Sequence, residues 1–248
     1  TTPYGGGGPC AFAGSVGCGT VFQLTRPAVP GGGWTETVLY RFQGHSDGFV
    51  PGDLIADPGG NLYGVTSNDG SARCSCGTVF KLTRTAAPSG AWAETVLYRF
   101  QGIPAGAIFG DGANPIAITF GTGGALVGTT SGGGLFQGGE GGLAFGTIFE
   151  LMPPSHVGGT WRESVLYRFT MNEQNPVSGV VIDKQGRLYG TTYTEVYQFA
   201  SGTTRALHVF DGSDQSGGYY PYGGVILDAS GNLYGTTLGG GQSTPHTH

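Results

Sequence analysis

Four carboxylates stand at comparable points of this chain: Asp47, Asp111, Glu173 and Asp211. They sit in His45-Ser46-Asp47-Gly48, Asp111-Gly112-Ala113-Asn114, Asn172-Glu173-Gln174-Asn175 and Asp211-Gly212-Ser213-Asp214. Brought to a common axis, such acids would repel one another and attract a hard cation or a hydroxyl-rich ligand. The metal expectation is therefore an axial cation such as calcium at Asp47, Asp111 and Asp211, although none of the segments has EF-hand spacing. A plainer reading stands beside it: Asp-Gly is turn chemistry, with the carboxylate capping its own loop.

Single-copy features carry more specific chemistry. His45, the Asn172 to Asn175 loop, Asp214 and the run Tyr219-Tyr220-Pro221-Tyr222 occur once each. Aromatic rings beside carboxylates and amides hold sugars by stacking and hydrogen bonding. The candidate ligand set is thus His45, Asp47, Asp111, Asn114, Glu173, Asn175, Asp211, Asp214, Tyr219, Tyr220 and Tyr222. The tyrosines would alternatively close an interface between repeats. Paired acids also suit general acid and base work on a glycosidic bond, but catalytic acids need distinct environments, whereas these recur with the repeat. No nucleophile elbow, phosphate loop or dinucleotide fingerprint follows from the glycines.

The elements that must position these residues come from a repeat. Gly-Thr-Val/Ile-Phe appears at Gly19, Gly77 and Gly146, with Glu195 to Phe199 as a worn copy. Val-Leu-Tyr-Arg-Phe follows at Val38, Val96 and Val165, degraded at Leu207 to Phe210, and Leu-Tyr-Gly recurs at Leu62, Leu188 and Leu233, with Leu126-Val127-Gly128 as its variant. A period of this size marks solenoids, propellers or arrays. With 51 glycines and 14 prolines among 248 residues, no long helix is expected, and the Val, Ile, Tyr, Phe and Thr between them suit strands.

One unit, Pro51 to Phe100, divides into strands at 52–57, 61–66, 77–83 and 92–100, a four-stranded meander. Such sheets must stack on their neighbours to bury both faces. The expected fold is an all-β, four-bladed β-propeller of four antiparallel strands per blade, one domain over 1–248. Its blades are 51–100, 115–169, 176–210, and 221–238 completed by 19–42, so that N-terminal strands close the ring; 239–248 is a flexible tail. A piece of a larger ring, or two chains sharing an eight-bladed one, is the alternative topology. The loops after the fourth and second strands of each unit fall on one face, which carries the acids and tyrosines. Trp34, Trp92 and Trp161 are expected to pack the outer strand against the next blade, and Arg41, Arg99, Arg168 or Glu36, Glu94, Glu163 to form edge ion pairs.

The run Pro221 to Tyr234 looks like the inner hairpin of NHL and gluconolactonase-like propellers. Asp-Gly-Ala-Asn-Pro at Asp111, Gly-Asn-Leu-Tyr-Gly-Thr-Thr at Gly231, the glycine-rich loops and Gly-Thr-Val-Phe-x-Leu together resemble the Gloeo/Verruco (GloVer) tandem repeat over essentially the whole chain. The resemblance implies an exported bacterial protein and supplies no catalytic motif.

Composition points the same way. Eleven basic against 16 acidic side chains, with no basic cluster, exclude nucleic acid and anionic membrane as natural partners. Charged residues make up only 11%, a surface suited to an extracellular setting. Cys10, Cys18, Cys74 and Cys76 lie in two equivalent loops without a zinc spacing and are read as disulfides. Cys10–Cys18 closes a comfortable loop, Cys74–Cys76 a tight one, and pairing between the two loops is the other option. A chain opening at Thr1 is read as a processed product whose leader has been removed. The functional expectation is a secreted or cell-surface module that binds extracellular carbohydrate. A polysaccharide-cleaving hydrolase or lyase, and a structural or self-assembling protein, are the alternatives.

Overall fold

A computed structural model describes residues 1–7, 10, 17–44, 46–69, 74–86, 90–137, 143–156, 158–173, 175–210 and 218–241. The strands are β1 (Thr20–Thr25), β2 (Thr35–Arg41), β3 (Phe49–Ala56), β4 (Leu62–Asn68), β5 (Thr78–Arg84), β6 (Trp92–Arg99), β7 (Ala113–Phe120), β8 (Leu126–Gln137), β9 (Leu143–Met152), β10 (Arg162–Arg168), β11 (Val181–Ile182), β12 (Leu188–Thr191), β13 (Glu195–Ala200), β14 (Thr203–Val209), β15 (Gly218–Tyr219), β16 (Val225–Leu227), β17 (Leu233–Gly235) and β18 (Gly239–Gly240). One short 3-10 turn, Thr122–Gly124, is the sole helical element among the described residues.

Three four-stranded antiparallel meanders result, β3 to β6, β7 to β10 and β11 to β14, at the positions the repeat predicts. In each, the strand that begins with Leu-Tyr-Gly or its variant pairs with the Gly-Thr-Val-Phe strand or its worn copy so that a glycine faces an aromatic ring: Gly64 opposite Phe80, Gly128 opposite Phe149, Gly190 opposite Tyr197. The absence of a side chain is what admits the ring. A methyl group on Gly64 or Gly128 would lie 2.6 Å from the ring it faces, and one on Gly190 would lie 2.5 Å from the Tyr197 hydroxyl.

The same rings carry the contact between sheets. Phe42 meets Phe80 edge-on with centroids 5.2 Å apart, Phe100 meets Phe149 at 5.0 Å, and Phe169 meets Tyr197 at 5.2 Å. A register shift recurs where the third and fourth strands of each unit pair, at Val21/Phe22, Val79/Phe80, Val165/Tyr167 and Val196/Tyr197. It leaves Leu39, Leu97, Leu166 and Leu207 without a paired partner, the role of a bulge that re-aims side chains. Three apolar clusters follow: one joins β1–β2 to the first meander through Val21, Phe42, Phe80 and Leu82, and the others join first to second and second to third. Trp92 and Trp161 pack against the cluster shared with the preceding sheet, not the next one, and Trp34 is 62% exposed.

The first hairpin of the unit owes its turn to an aspartate. Asp57 accepts the backbone N–H of Asn61 (2.9 Å), its Nδ2 (2.8 Å) and the Tyr63 hydroxyl (3.1 Å), with Gly60 at φ 79°. Asp183 and Asp228 do the same with Arg187 and Tyr189, and with Asn232 and Tyr234. The second meander lacks both the aspartate and the tyrosine and turns through Thr122–Gly124 instead. These bonds hold the Asp183 and Asp228 carboxyls down at about 2. Their contribution to stability is present above the ordinary carboxylate value and is lost as pH falls toward 2. Asp57→Ala is expected to lower the melting temperature by about 2–4 °C at pH 7; an unchanged melting curve would show that the glycines alone form the turn.

The expected fourth sheet is not assembled. β16–β17 and β1–β2 are separate two-stranded sheets, and β15 pairs with β18. Two local causes are visible. Thr2 occupies the end of the β1 edge, exchanging both backbone hydrogen bonds with Thr20 (3.0 and 3.1 Å), while the chain after β17 leaves its hairpin to pair Gly239 with Tyr219. Of the expected tail, Gly239 and Gly240 pair in this way, and 242–248 lie outside the described residues.

The edge charges follow expectation only at Arg99. Arg99 pairs with Asp69 at 2.8 Å and Arg168 donates to the Gly110 carbonyl at 3.1 Å, while Glu94 and Glu163 are half-buried between sheets.

Candidate functional site

Three of the repeated acids, Asp47, Asp111 and Glu173, sit at the seams between sheets. Asp47 accepts the Tyr40 hydroxyl (3.1 Å) and the Gln43 N–H (2.8 Å), and Asp111 accepts the Tyr98 hydroxyl (2.7 Å) and the Gln101 N–H (3.0 Å). Glu173 accepts the Tyr167 hydroxyl, the Thr170 N–H (3.1 Å) and hydroxyl (2.9 Å), and the Thr204 hydroxyl (2.5 Å). Each acid therefore caps the chain leaving one sheet, as the turn reading expects, and also holds that sheet's outer tyrosine. Burial and the acid beside it push the Tyr167 phenol up to about 12 and raise Tyr40 and Tyr98 further.

The next sheet contributes a third group to each seam. Glu94, Glu163 and Thr204 occupy one register position, opposite Leu82, Leu151 and Phe199. Thr204 donates to Glu173, whereas Glu94 and Glu163 are pushed up to about 7, first by burial and then by the charge of Asp47 or Asp111. Glu94 Oε1, Glu163 Oε1 and Asp47 Oδ1 are buried without a hydrogen-bond partner. Among the described residues no group of three His, Cys, Asp or Glu side chains is gathered that could hold a metal ion. Asp211, Asp214 and His45 lie outside the described residues.

Asn114, at φ 54°, donates its Nδ2 to the Ser67 carbonyl (2.9 Å) and its backbone N–H to the Cys76 carbonyl (2.8 Å). Val50 donates to the Cys18 carbonyl (3.2 Å) in the equivalent place, also at positive φ. The disulfides Cys10–Cys18 and Cys74–Cys76, with Cα atoms 5.2 and 5.1 Å apart, brace these two carbonyls. Pairing is therefore within each loop, not between them. Asn175 Oδ1 is buried without a partner.

The tyrosines are brought together. Tyr220 lies 5.3 Å from Tyr219 and 6.1 Å from Tyr222, and Tyr222 meets Tyr193 edge-on at 5.5 Å. All four rings are more than a third exposed. Tyr193 is absent from the sequence-derived set, although it directly follows the Gly-Thr-Thr of its repeat, in a loop already assigned to this face. Tyr220 is at φ 58°, the strained conformation that Val50 and Asn114 also adopt before a proline, so the strain belongs to the architecture.

Tyr222 also borders a cavity of about 440 Å³ lined by residues 53–55, 116–119, 177–181 and 222–225, the inner strands of all four units. Among the described residues, Asp47, Asp111 and Glu173 do not line it. Asp53, Thr119, Ser178 and Tyr222 supply its polar side chains among Ile, Val, Ala and Leu.

Meanders stacked through repeated aromatic seams, disulfide-braced loops and a single tyrosine cluster define an all-β repeat protein suited to an oxidising environment. The chain belongs to the Gloeobacter/Verrucomicrobia repeat family, which it matches over residues 8–247. No curated protein matches it. Among the described residues no helix is long and apolar enough to cross a membrane.

Proposed function

We propose that this is a secreted or cell-surface binding module that recognises extracellular carbohydrate at the tyrosine cluster beside the inner-strand cavity. The three complete sheets are read as blades of a β-propeller, with the β16–β17 and β1–β2 hairpins as the two halves of a fourth. The observation that carries the reading is the group Tyr193, Tyr219, Tyr220 and Tyr222, exposed, mutually packed and present once. Rings in that setting offer stacking faces and phenol hydroxyls at once, and the adjoining cavity adds the Thr119 hydroxyl and the Asp53 carboxylate. A site present once favours one glycan position per chain over repeated binding on every blade.

A glycan array followed by calorimetry tests this. Tyr220→Ala and Tyr222→Ala are each expected to weaken the best glycan by about 10- to 30-fold. No binding across the array, or binding indifferent to both substitutions, would overturn the assignment.

A further inference from the structure

The three seams described above are built from the same parts: a ring on the third strand of a sheet, the glycine facing it, and a phenylalanine from the sheet before. A fourth set of parts exists in this chain, but it is not put together. Gly235 of β17 and Phe210, which follows β14, border a cavity of about 360 Å³ with Leu207, His208 and Leu233 on its walls. Over Gly235 the nearest atoms belong to Gly224 and Val225, and no ring of the described residues is among them. The matching ring is Phe22, which lies elsewhere, bordering a different cavity against the first meander with Leu54 and Trp92.

We propose that the cavity between β14 and the β16–β17 hairpin receives Phe22 from a second copy of this chain, with the β1 edge of that copy paired antiparallel to β17. The register follows from the complete sheets. Leu188, Tyr189 and Gly190 pair with Phe199, Gln198 and Tyr197, and Leu62 and Gly64 pair with Leu82 and Phe80. Transposed, Leu233 lies opposite Leu24, Tyr234 opposite Gln23 and Gly235 opposite Phe22. The middle pair repeats a bond already present, since Gln198 Nε2 donates to the Tyr189 hydroxyl at 2.9 Å.

Exposure marks the same two edges. Leu24 is 53% exposed where Leu82 and Leu151 are fully buried, and Tyr234 is 54% exposed where Tyr63 and Tyr189 are buried. Thr2 already covers Thr20, which leaves the stretch from Phe22 to Leu24 to accept a strand of three residues, the length of β17. The occupant is another copy because the chain's own Phe22 is held away from the slot. Its hairpin is fixed to the first meander through Val21, Phe42, Phe80 and Leu82, and Thr1 donates to the Gly52 carbonyl at 2.7 Å. Each chain then offers one ring and one slot on different surfaces, a head-to-tail contact that propagates into rings or filaments. The contact is independent of carbohydrate binding.

All four native cysteines are in disulfides, so introduced thiols are the only free ones. Gln23→Cys and Tyr234→Cys proteins, both altered at exposed edges, are mixed under mild oxidation and analysed by intact mass. The expected product is a mixed disulfide dimer well above the self-dimers of either variant, and it should disappear when Gly235→Val fills the slot in a folded Tyr234→Cys protein. Sedimentation of the unaltered protein should show concentration-dependent association that Phe22→Ala reduces at least tenfold. No mixed dimer above the self-dimers overturns the proposal. So does an intrachain crosslink in the Gln23→Cys/Tyr234→Cys protein formed in place of mixed dimers, which would place both edges in one molecule.

Discussion

Phe149→Ala is expected to remove about 3–5 kcal/mol of stability, the cost of emptying a fully buried aromatic site. Three packing relations fail together. The ring fills the space over Gly128, meets Phe100 edge-on at 5.0 Å, and belongs to the cluster joining the first and second sheets. Backbone pairing on both sides of residue 149 prevents the site from collapsing. The same substitution at Phe22, a half-buried ring with no glycine beneath it, is expected to cost about 1 kcal/mol in the isolated chain. Urea denaturation followed by circular dichroism measures both. Equal losses at the two positions would show that the glycine-backed seat does not govern the energetics of the seams.

Stability is expected to fall between pH 5 and pH 8 because of Glu94 and Glu163. Both carboxyls are raised from 4.5 to about 7 by burial and by the neighbouring Asp47 or Asp111. A folded-state value above the unfolded one means that the folded protein holds the extra proton. The associated stability is fully present below the ordinary glutamate value and is lost as pH rises through 7. Solvent still reaches both groups, which reduces the effect to about 1 kcal/mol per glutamate. Thr204 shows how the position is served without an ionisable group, by a hydroxyl donated to Glu173. The double variant Glu94→Thr/Glu163→Thr should therefore flatten the slope and melt above the unaltered protein at pH 8. Melting curves from pH 4.5 to 8.5 decide it, and a variant that keeps the slope would move its cause to other groups. With Asp183 and Asp228 losing their contribution in acid, the optimum falls at about pH 4–5.

The meanders were legible because each strand carries its own punctuation. Gly77 to Thr83 opens on a glycine, Pro88-Ser89-Gly90 separates it from Trp92 to Phe100, Gly102 follows, and their alternation leaves one register. The fourth sheet was harder to foresee. Repetition predicts which strands could pair, and Leu24 and Leu233 have the right neighbours, but it does not reveal that Thr2 takes part of the edge or that the chain beyond Gly235 returns to β15. At the site, the tyrosine run was visible as a departure from the repeat, whereas Tyr193 joins it only through folding. The seam function of Asp47, Asp111 and Glu173 depends on Tyr40, Tyr98 and Tyr167, which the sequence presents as ordinary strand residues. Glu94 and Glu163 were placed as edge ion-pair candidates because alternation alone cannot distinguish an edge facing water from one facing the next sheet.

The glycine beneath each ring also acts as a graduation mark along the strand. A slip of two residues would set Phe149 against Leu126 or Thr130, where a side chain already fills the space, so only one alignment seats the ring. Because every junction reads the same mark with the same parts, a whole unit can be inserted or removed and the new neighbours will still fit, whereas part of a unit leaves a ring without a seat. Such a chain can change in length by duplication or loss of complete repeats while each surviving contact is preserved.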